Sequence, residues 1–364
     1  MPVHSSQSAT GAVISASHVR QVTADHSGFE EAFGPGWRGA IPPELAPRML
    51  QSRRTWKVSD PAEPPWERDV AFWTVPGSDR RLMADIWQPP PGVKPSGLAF
   101  VYLHGGGYVA FDKDRGTRPM FRHLAAQGHV VMDVSYRLYP ETNISGMVGD
   151  TLRAVAWMKR NAAHFGVDPA RIVLAGGSAG AHLALLAAYA PEHPLFMPAD
   201  VHGDELDVRG VVAYYSPGDW RPERKLATPP GPVKAAVRRL LTRLLETWSN
   251  SRVSSEADLL GGQPHEWPDL CRQVSPITHV GPHTPPTLQF LGAHDVYVSA
   301  GGTMPELHRK LREAGVPSVY VEFPRTEHAF DMFLPEYSPS AHAALYDLDR
   351  FLALMASPLD FGSS

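Results

Sequence analysis

The segment from Arg171 to Ala190, RIVLAGGSAGAHLALLAAYA, limits most strongly how this chain can fold. It starts as a short apolar run, breaks into glycine and alanine around Ser178, and resumes as a helix-forming stretch. Gly176 to Gly180 fits G-x-S-x-G between a buried strand and a helix. Such a serine sits on a strained turn, where small residues on either side let strand and helix approach. The segment predicts a serine hydroxyl above a sheet edge, close to the N–H groups of a helix N-terminus.

A tight strand-to-helix turn with an incidental serine is the alternative, because the pattern fixes only three positions of five. A serine hydroxyl is also a weak nucleophile by itself. The catalytic hypothesis therefore requires a base, an acid that orients the base, and donors for a developing oxyanion.

Candidate oxyanion donors follow the predicted strand 96–104, in the segment HGGGY. Three successive glycines let backbone N–H groups turn into one concavity without a Cβ in the way. We expect Gly106, Gly107 and Ala179 to donate, and His104 to fix the loop rather than act as a base. An ordinary glycine-rich loop is the alternative. A phosphate-binding loop is disfavoured because no G-K-[ST] follows.

The candidate acid and base stand later in the chain. Asp295 ends the predicted strand TLQFLGAHD, and His328 lies in the loop after the next strand. The order serine, aspartate, histidine is the one found in α/β-hydrolases. His294 is less suitable as the base because it adjoins the proposed acid on the same short loop. Glu327 and Asp331 are too close to His328 in sequence to orient its ring, so we expect surface or loop-fixing roles for them.

Apolar strands alternate with helical stretches along most of the chain, which indicates a mostly parallel sheet with helices on both faces. A hairpin, DVAFWTV and RRLMADIWQP around PGSD, precedes this pattern. PPELAPRMLQSRRTW is a helix candidate near the start. We expect an N-terminal arm or cap segment at 1–65, a core at 66–217 and 276–364, and a cap insertion at 218–275.

The insertion contains VKAAVRRLLTRLLETW, in which apolar residues including Leu240 form one helical stripe opposite arginines. The stripe could pack on the core, form part of a cap over the carboxyl ends of the strands, or do both. Trp220, Trp248 and Trp267 suggest an apolar acyl or aryl pocket, although tryptophans also serve as core residues.

Composition excludes several classes of partner. A formal charge of −4 and a pI near 6.5 give no basic character to attract nucleic acid or anionic lipid. Cys271 is the only cysteine, so no intrachain disulfide can form. Neither a secretory signal nor a membrane span is recognisable, so we expect a cytoplasmic protein. No H-E-x-x-H or paired-cysteine spacing occurs, which disfavours a zinc hydrolase.

The chain resembles the hormone-sensitive-lipase-like esterase and lipase branch of the α/β-hydrolase superfamily between about residues 66 and 355. HGGGY, SYRLYPE, GGSAG, GAHD and EHAFD occur in the expected order. Departures include Gly177, where many members carry aspartate. The resemblance implies an α/β-hydrolase fold with an eight-stranded, mostly parallel sheet and a helical cap. It also implies carboxylester hydrolysis without a cofactor, and structural roles for Arg137, Pro140 and Glu141.

These observations predict a serine hydrolase that cleaves small-molecule esters with a short to medium acyl or an aryl group. Because the base must be neutral, we expect activity to decline below about pH 6 to 7. An arylformamidase, amidase or lactonase on the same triad remains an alternative. So does a noncatalytic ligand receptor, although loss of the histidine is expected there. The last strand could be an exposed edge that pairs between chains, so a homodimer stays open.

Overall fold

The computed structural model describes residues 27–52, 63–222, 256–261, 265–298, 303–332 and 335–358, and positions 236, 240 and 243. Eight strands form one sheet in the order β1-β2-β4-β3-β5-β6-β7-β8. They are β1 Trp66–Thr74, β2 Arg81–Trp87, β3 Ala99–Leu103, β4 Val130–Val134, β5 Ile172–Gly177, β6 Gly210–Tyr214, β7 Thr287–Gly292 and β8 Ser318–Phe323. β1 pairs antiparallel with β2, and β2 with β4; the other pairs are parallel. The predicted hairpin and the mostly parallel sheet are both confirmed.

The central strands read as continuous apolar runs because both of their faces are covered. Every residue of β3 to β7 is buried, whereas most of β1 at the sheet edge is half-buried or exposed. The parallel register aligns the carboxyl ends of β3, β5, β6, β7 and β8 at one edge. Loops leaving these strands therefore meet at that edge, as ligand-binding loops do in open α/β sheets.

Nine helices of the described chain are labelled here: α1 Ser27–Phe33, α2 Arg118–Gln127, α3 Ile144–Arg160, α4 Ala162–Phe165, α5 Ala179–Tyr189, α6 Glu256–Leu260, α7 Trp267–Gln273, α8 Thr303–Glu313 and α9 Pro339–Met355. Because crossovers between parallel strands are right-handed, the strand order puts α2 on one face of the sheet and α3, α5 and α8 on the other. Contacts between helices agree with this arrangement, because α3 packs on α5. On the opposite face, Asp349 of α9 bonds His123 and Gln127 of α2.

The prediction of a helix for PPELAPRMLQSRRTW is wrong for residues 42–52, the part of this segment that the structure describes. Only a 3-10 turn forms there, Ala46–Arg48, and the last four residues of the segment, 53–56, lie outside the described residues. The N–H of Leu50 donates to Asp349 Oδ2 at 2.7 Å, so a contact with the distant helix α9 replaces the helical hydrogen bond. Pro47 lacks an N–H altogether, which further weakens a helix.

The predicted amphipathic helix at 233–248 lies almost wholly outside the described residues, as does Trp248. Three of its positions, Ala236, Leu240 and Arg243, are helical and exposed. Leu240 is 60 % exposed although it belongs to the predicted apolar stripe. Across the described ranges, none of the helices has the length and apolarity to cross a bilayer.

Candidate active site

The turn at Ser178 has the geometry predicted from its neighbours. Ser178 joins β5 to α5 with φ 54° and ψ −120°, a conformation that non-glycine residues rarely adopt. A Cβ on Gly176 would lie 2.4 Å from the carbonyl carbon of Gly180. One on Gly180 would lie 2.1 Å from the carbonyl oxygen of Leu103 in β3. The two glycines therefore permit the close approach that holds the serine at the sheet edge.

The structure brings the three proposed side chains together in one chain of hydrogen bonds. His328 Nε2 lies 2.9 Å from Ser178 Oγ, and His328 Nδ1 lies 2.7 Å from Asp295 Oδ2. The other carboxylate oxygen of Asp295 accepts the N–H groups of Tyr297 and Val298, both at 2.8 Å. An ionised carboxylate only accepts, so Nδ1 carries the proton. Nε2 is then free to accept the hydroxyl proton of the serine.

Adjacent parallel strands explain why residues so far apart in sequence meet. Asp295 follows β7, and His328 follows the neighbouring β8. The N–H of His294 donates to the carbonyl oxygen of Thr326 at 3.0 Å, which links the two loops. A Cβ on Gly292 would lie 2.4 Å from that same carbonyl oxygen, so glycine lets the loops touch. His294 itself is exposed and takes no part in the hydrogen-bond chain.

The glycine loop after β3 packs directly on the serine. A Cβ on Gly105 would lie 3.3 Å from the Cβ of Ser178. Gly106 and Gly107 have φ values of 119° and 61°, which favour glycine. In the described part of the chain, the N–H groups of Gly106, Gly107 and Ala179 donate to no other protein group. These are the three donors that the sequence predicts for an oxyanion.

His104 has the loop-fixing contacts expected of it. It is buried, and its Nδ1 donates to the carbonyl oxygen of Gly105 at 2.7 Å. Its ring stacks on Tyr136 with 4.5 Å between centroids. The Tyr136 hydroxyl donates to the carbonyl oxygen of His104 at 2.8 Å. Burial lowers the pKa of His104, which keeps the imidazole neutral in this packing role.

The segment YRLYPE makes structural contacts next to the glycine loop. Arg137 donates from Nε and Nη2 to the two oxygens of buried Asp150, at 2.8 and 2.7 Å. The N–H of Tyr139 donates to the carbonyl oxygen of Tyr108 at 2.9 Å, which joins this segment to the glycine loop. Glu141 lies farther out, 3.5 Å from Arg80.

Sequence reasoning missed the aromatic side chains around His328. The ring of Tyr215, just after β6, lies 4.5 Å from the imidazole, and that of Tyr297 lies 4.9 Å away. The Tyr215 hydroxyl donates to Asp331 Oδ1 at 2.5 Å. Asp331 thus fixes its loop through Tyr215, and burial raises its pKa to about 6. Only the position of Tyr215 at the end of a central strand could have indicated its proximity to the site.

The departure at Gly177 also has a structural reason. A Cβ there would lie 3.0 Å from the hydroxyl oxygens of both Tyr102 and Tyr215. Glycine therefore leaves room for two phenols beneath the serine turn. The described residues contain no group of three or more His, Cys, Asp or Glu side chains arranged to hold a metal ion.

Known proteins are similar to this chain in sequence and in fold. Esterase LipQ of Mycobacterium tuberculosis is 27 % identical over 84 % of the chain and 69 % of its own length. A probable carboxylic ester hydrolase of that organism, LipM, is 29 % identical over 77 % of the chain but 59 % of its own length. Esterase 2 of Thermogutta terrifontis in its apo form matches with a TM-score of 0.61 at 24 % identity, over 81 % of this chain and 97 % of that one. That esterase is also described with butyrate bound and phosphorylated by paraoxon.

Together, the relatives and the fold define the class: a carboxylesterase-type hydrolase with the α/β-hydrolase fold. Within that class the family is shown directly. The family model described as BD-FAE matches residues 84–311, more than half of the chain, so this protein belongs to the BD-FAE family.

Proposed function

We propose that this protein hydrolyses carboxylic esters in two steps through an acyl-enzyme on Ser178. The observation that carries the proposal is the chain of hydrogen bonds from Ser178 through His328 to Asp295. His328 is 14 % exposed and Asp295 is buried, so the proton path is largely shielded from water. Such shielding strengthens each electrostatic interaction within the site.

A specific group of the protein acts in each proposed step. Nε2 of His328 takes the hydroxyl proton while Ser178 Oγ attacks the ester carbonyl carbon, and Asp295 stabilises the imidazolium. The N–H groups of Gly106, Gly107 and Ala179 stabilise the negative oxygen of the tetrahedral intermediate. The imidazolium returns its proton to the leaving alcohol. Water then attacks the acyl-enzyme by the same route and releases the acid.

The proposed substrate is a small ester with a short to medium acyl chain or an aryl group, and no cofactor takes part. The half-buried ring of Tyr297, 4.9 Å from that of His328, supports an apolar substrate group there. Trp220 is buried beside Tyr108, with 6.0 Å between ring centroids, where the insertion begins. These rings favour a compact apolar group over a long extended chain.

A fluorophosphonate probe tests the nucleophile, because it forms a covalent adduct with an activated serine. We expect one adduct on Ser178 and none in Ser178→Ala, whose kcat should fall at least several hundredfold. Ser216→Ala is the matched control, since Ser216 is buried at the same sheet edge and its hydroxyl has no hydrogen-bond partner in the described residues. An unlabelled Ser178 in folded protein favours a noncatalytic receptor and contradicts the proposal.

A substrate series separates the remaining hydrolase alternatives. Turnover of p-nitrophenyl acetate, butyrate and octanoate is compared with turnover of N-formyl aryl amides and lactones. We expect the highest kcat/KM for acetate or butyrate. Preference for the formyl amide would make the protein an arylformamidase on the same residues.

A further inference from the structure

One buried histidine that the proposed mechanism does not use stands next to the candidate site. His182 lies in the first turn of α5, and its backbone N–H donates to the carbonyl oxygen of Ser178 at 3.1 Å. Its Nε2 lies 2.6 Å from the carbonyl oxygen of Val274, and its Nδ1 lies 2.8 Å from the hydroxyl of Tyr108. A carbonyl only accepts, so Nε2 carries the proton and Nδ1 accepts the Tyr108 hydroxyl. Burial lowers the pKa of His182 to about 4, so these roles persist near neutral pH.

Both ends of the insertion meet this imidazole. Trp220 lies where the chain leaves the sheet, and its ring lies parallel to that of His182 at 12° and 5.8 Å. The chain returns at Val274 and Ser275. The backbone N–H of Trp220 donates to Ser275 Oγ at 2.8 Å, and Ser275 Oγ donates to the carbonyl oxygen of Cys271 at 2.7 Å. The two ends are thus bonded to each other as well as packed on His182.

The other partner, Tyr108, ends the glycine loop. Gly107, the residue before it, has no side chain, and a Cβ there would meet nothing within 4 Å. Side-chain packing therefore cannot hold the loop at that point. Tyr108 is buried with φ 70°, its carbonyl oxygen accepts the N–H of Tyr139, and its hydroxyl is bound to His182. The phenol anchors the loop on the side that follows the two glycine donors, whereas His104 anchors the side that precedes them through the carbonyl oxygen of Gly105.

We propose that Tyr108 and His182 are positioning residues that hold the N–H groups of Gly106 and Gly107 where the oxyanion develops. Because His182 also contacts Trp220 and Val274, the packing of these two residues helps to set the geometry of these donors. This inference rests on the proposed ester hydrolysis.

The first test is Tyr108→Phe, which removes only the hydroxyl. Tyr189→Phe is the matched control, because Tyr189 is a buried phenol at the far end of α5 whose hydroxyl bonds Thr287 Oγ1 at 2.8 Å. Loss of one oxyanion donor typically lowers kcat about 100-fold to 1,000-fold, and displacing the donors should cost part of that. We expect kcat for p-nitrophenyl butyrate to fall about 10-fold to 100-fold in Tyr108→Phe, with KM within about twofold. The control should stay within about threefold of wild type in kcat.

Two substitutions of His182 separate its contacts. His182→Asn places an amide group near the Nδ1 position and can still accept the Tyr108 hydroxyl, whereas His182→Gln can still donate to Val274. We expect the kcat of His182→Asn to exceed that of His182→Gln.

Affinity for butylboronic acid, which forms an anionic tetrahedral adduct on the serine, should weaken in Tyr108→Phe in parallel with kcat.

A purely structural role would lower the melting temperature without changing kcat or boronate affinity in the folded protein. Suppose that the wild type is active but Tyr108→Phe has the same kcat as Tyr189→Phe, or differs from wild type only by a higher KM. Either result overturns this inference and leaves the proposed function intact. A wild type that neither cleaves esters nor takes the fluorophosphonate label overturns the proposed function, and the inference with it.

Discussion

Replacing Asp295 by asparagine tests the proton geometry most directly, because it preserves the shape of the side chain. One carboxylate oxygen of Asp295 accepts two backbone N–H groups at 2.8 Å, and the other accepts His328 Nδ1–H at 2.7 Å. In the variant the two backbone donors require the remaining oxygen, so the new NH₂ group faces Nδ1. His328 must then carry its proton on Nε2, where it can no longer accept the hydroxyl proton of Ser178.

The expected loss follows from two contributions. A hydrogen bond to a charged group contributes about 1.5 to 3 kcal/mol. Two opposite charges about 4 Å apart attract by about 4 kcal/mol at an effective dielectric constant of 20, and the variant loses this stabilisation of the imidazolium. Because the two contributions overlap, their combined loss is about 4 to 5.5 kcal/mol, which corresponds to a fall in kcat of about 1,000-fold to 10,000-fold. KM should change little, because neither group is proposed to bind the ester.

The assay measures initial rates on p-nitrophenyl butyrate, together with thermal melting to show that the variant is folded. Glu327→Gln is the control, since Glu327 is an exposed carboxylate next to His328 in sequence. We expect its kcat to stay within about threefold of wild type. If folded Asp295→Asn kept more than about a tenth of the wild-type kcat, the tautomer argument would be refuted.

Two further predictions concern stability. Gly180→Ala places a Cβ 2.1 Å from a carbonyl oxygen of β3, so we expect it to lower the free energy of unfolding by about 3 kcal/mol or more. In the control Gly281→Ala the new Cβ meets nothing within 4 Å, so the free energy of unfolding should hardly change. Equal melting temperatures of the two variants would contradict this prediction. Burial lowers the pKa of His129 and His182 from 6.5 to about 4 and raises that of Asp331 from 3.8 to about 6. As the pH falls from 7 to 5, the two histidines bind protons mainly in the unfolded state, which destabilises the fold, whereas Asp331 binds a proton mainly in the folded state, which stabilises it. The effect of the two histidines is larger, so the free energy of unfolding measured in urea titrations should fall by about 2 kcal/mol. A protein equally stable at pH 5 and pH 7 would contradict this balance.

Features fixed by neighbouring residues were predictable from the sequence. The strand, turn and helix around Ser178 follow from the apolar run and the two glycines, which the close contacts of Gly176 and Gly180 explain. The parallel sheet follows from the alternation of strands and helices. The order of Ser178, Asp295 and His328 along those strands was enough to expect them at one sheet edge.

Other features depended on contacts between distant parts of the chain. The predicted helix near residue 46 failed because Leu50 bonds Asp349, 299 residues away. Tyr108 and His182 are 74 residues apart, and Tyr215 and Asp331 are 116 apart, so no local pattern relates either pair.

The sequence by itself determined where backbone strain, apolar runs and glycine turns occur, because each depends on torsion angles and side-chain size within a few residues. The tertiary structure decided which side chains surround the imidazole and which anchors hold the glycine loop. Those choices depend on packing and hydrogen bonds across the sheet, which form only when distant segments are brought within a few ångströms of one another.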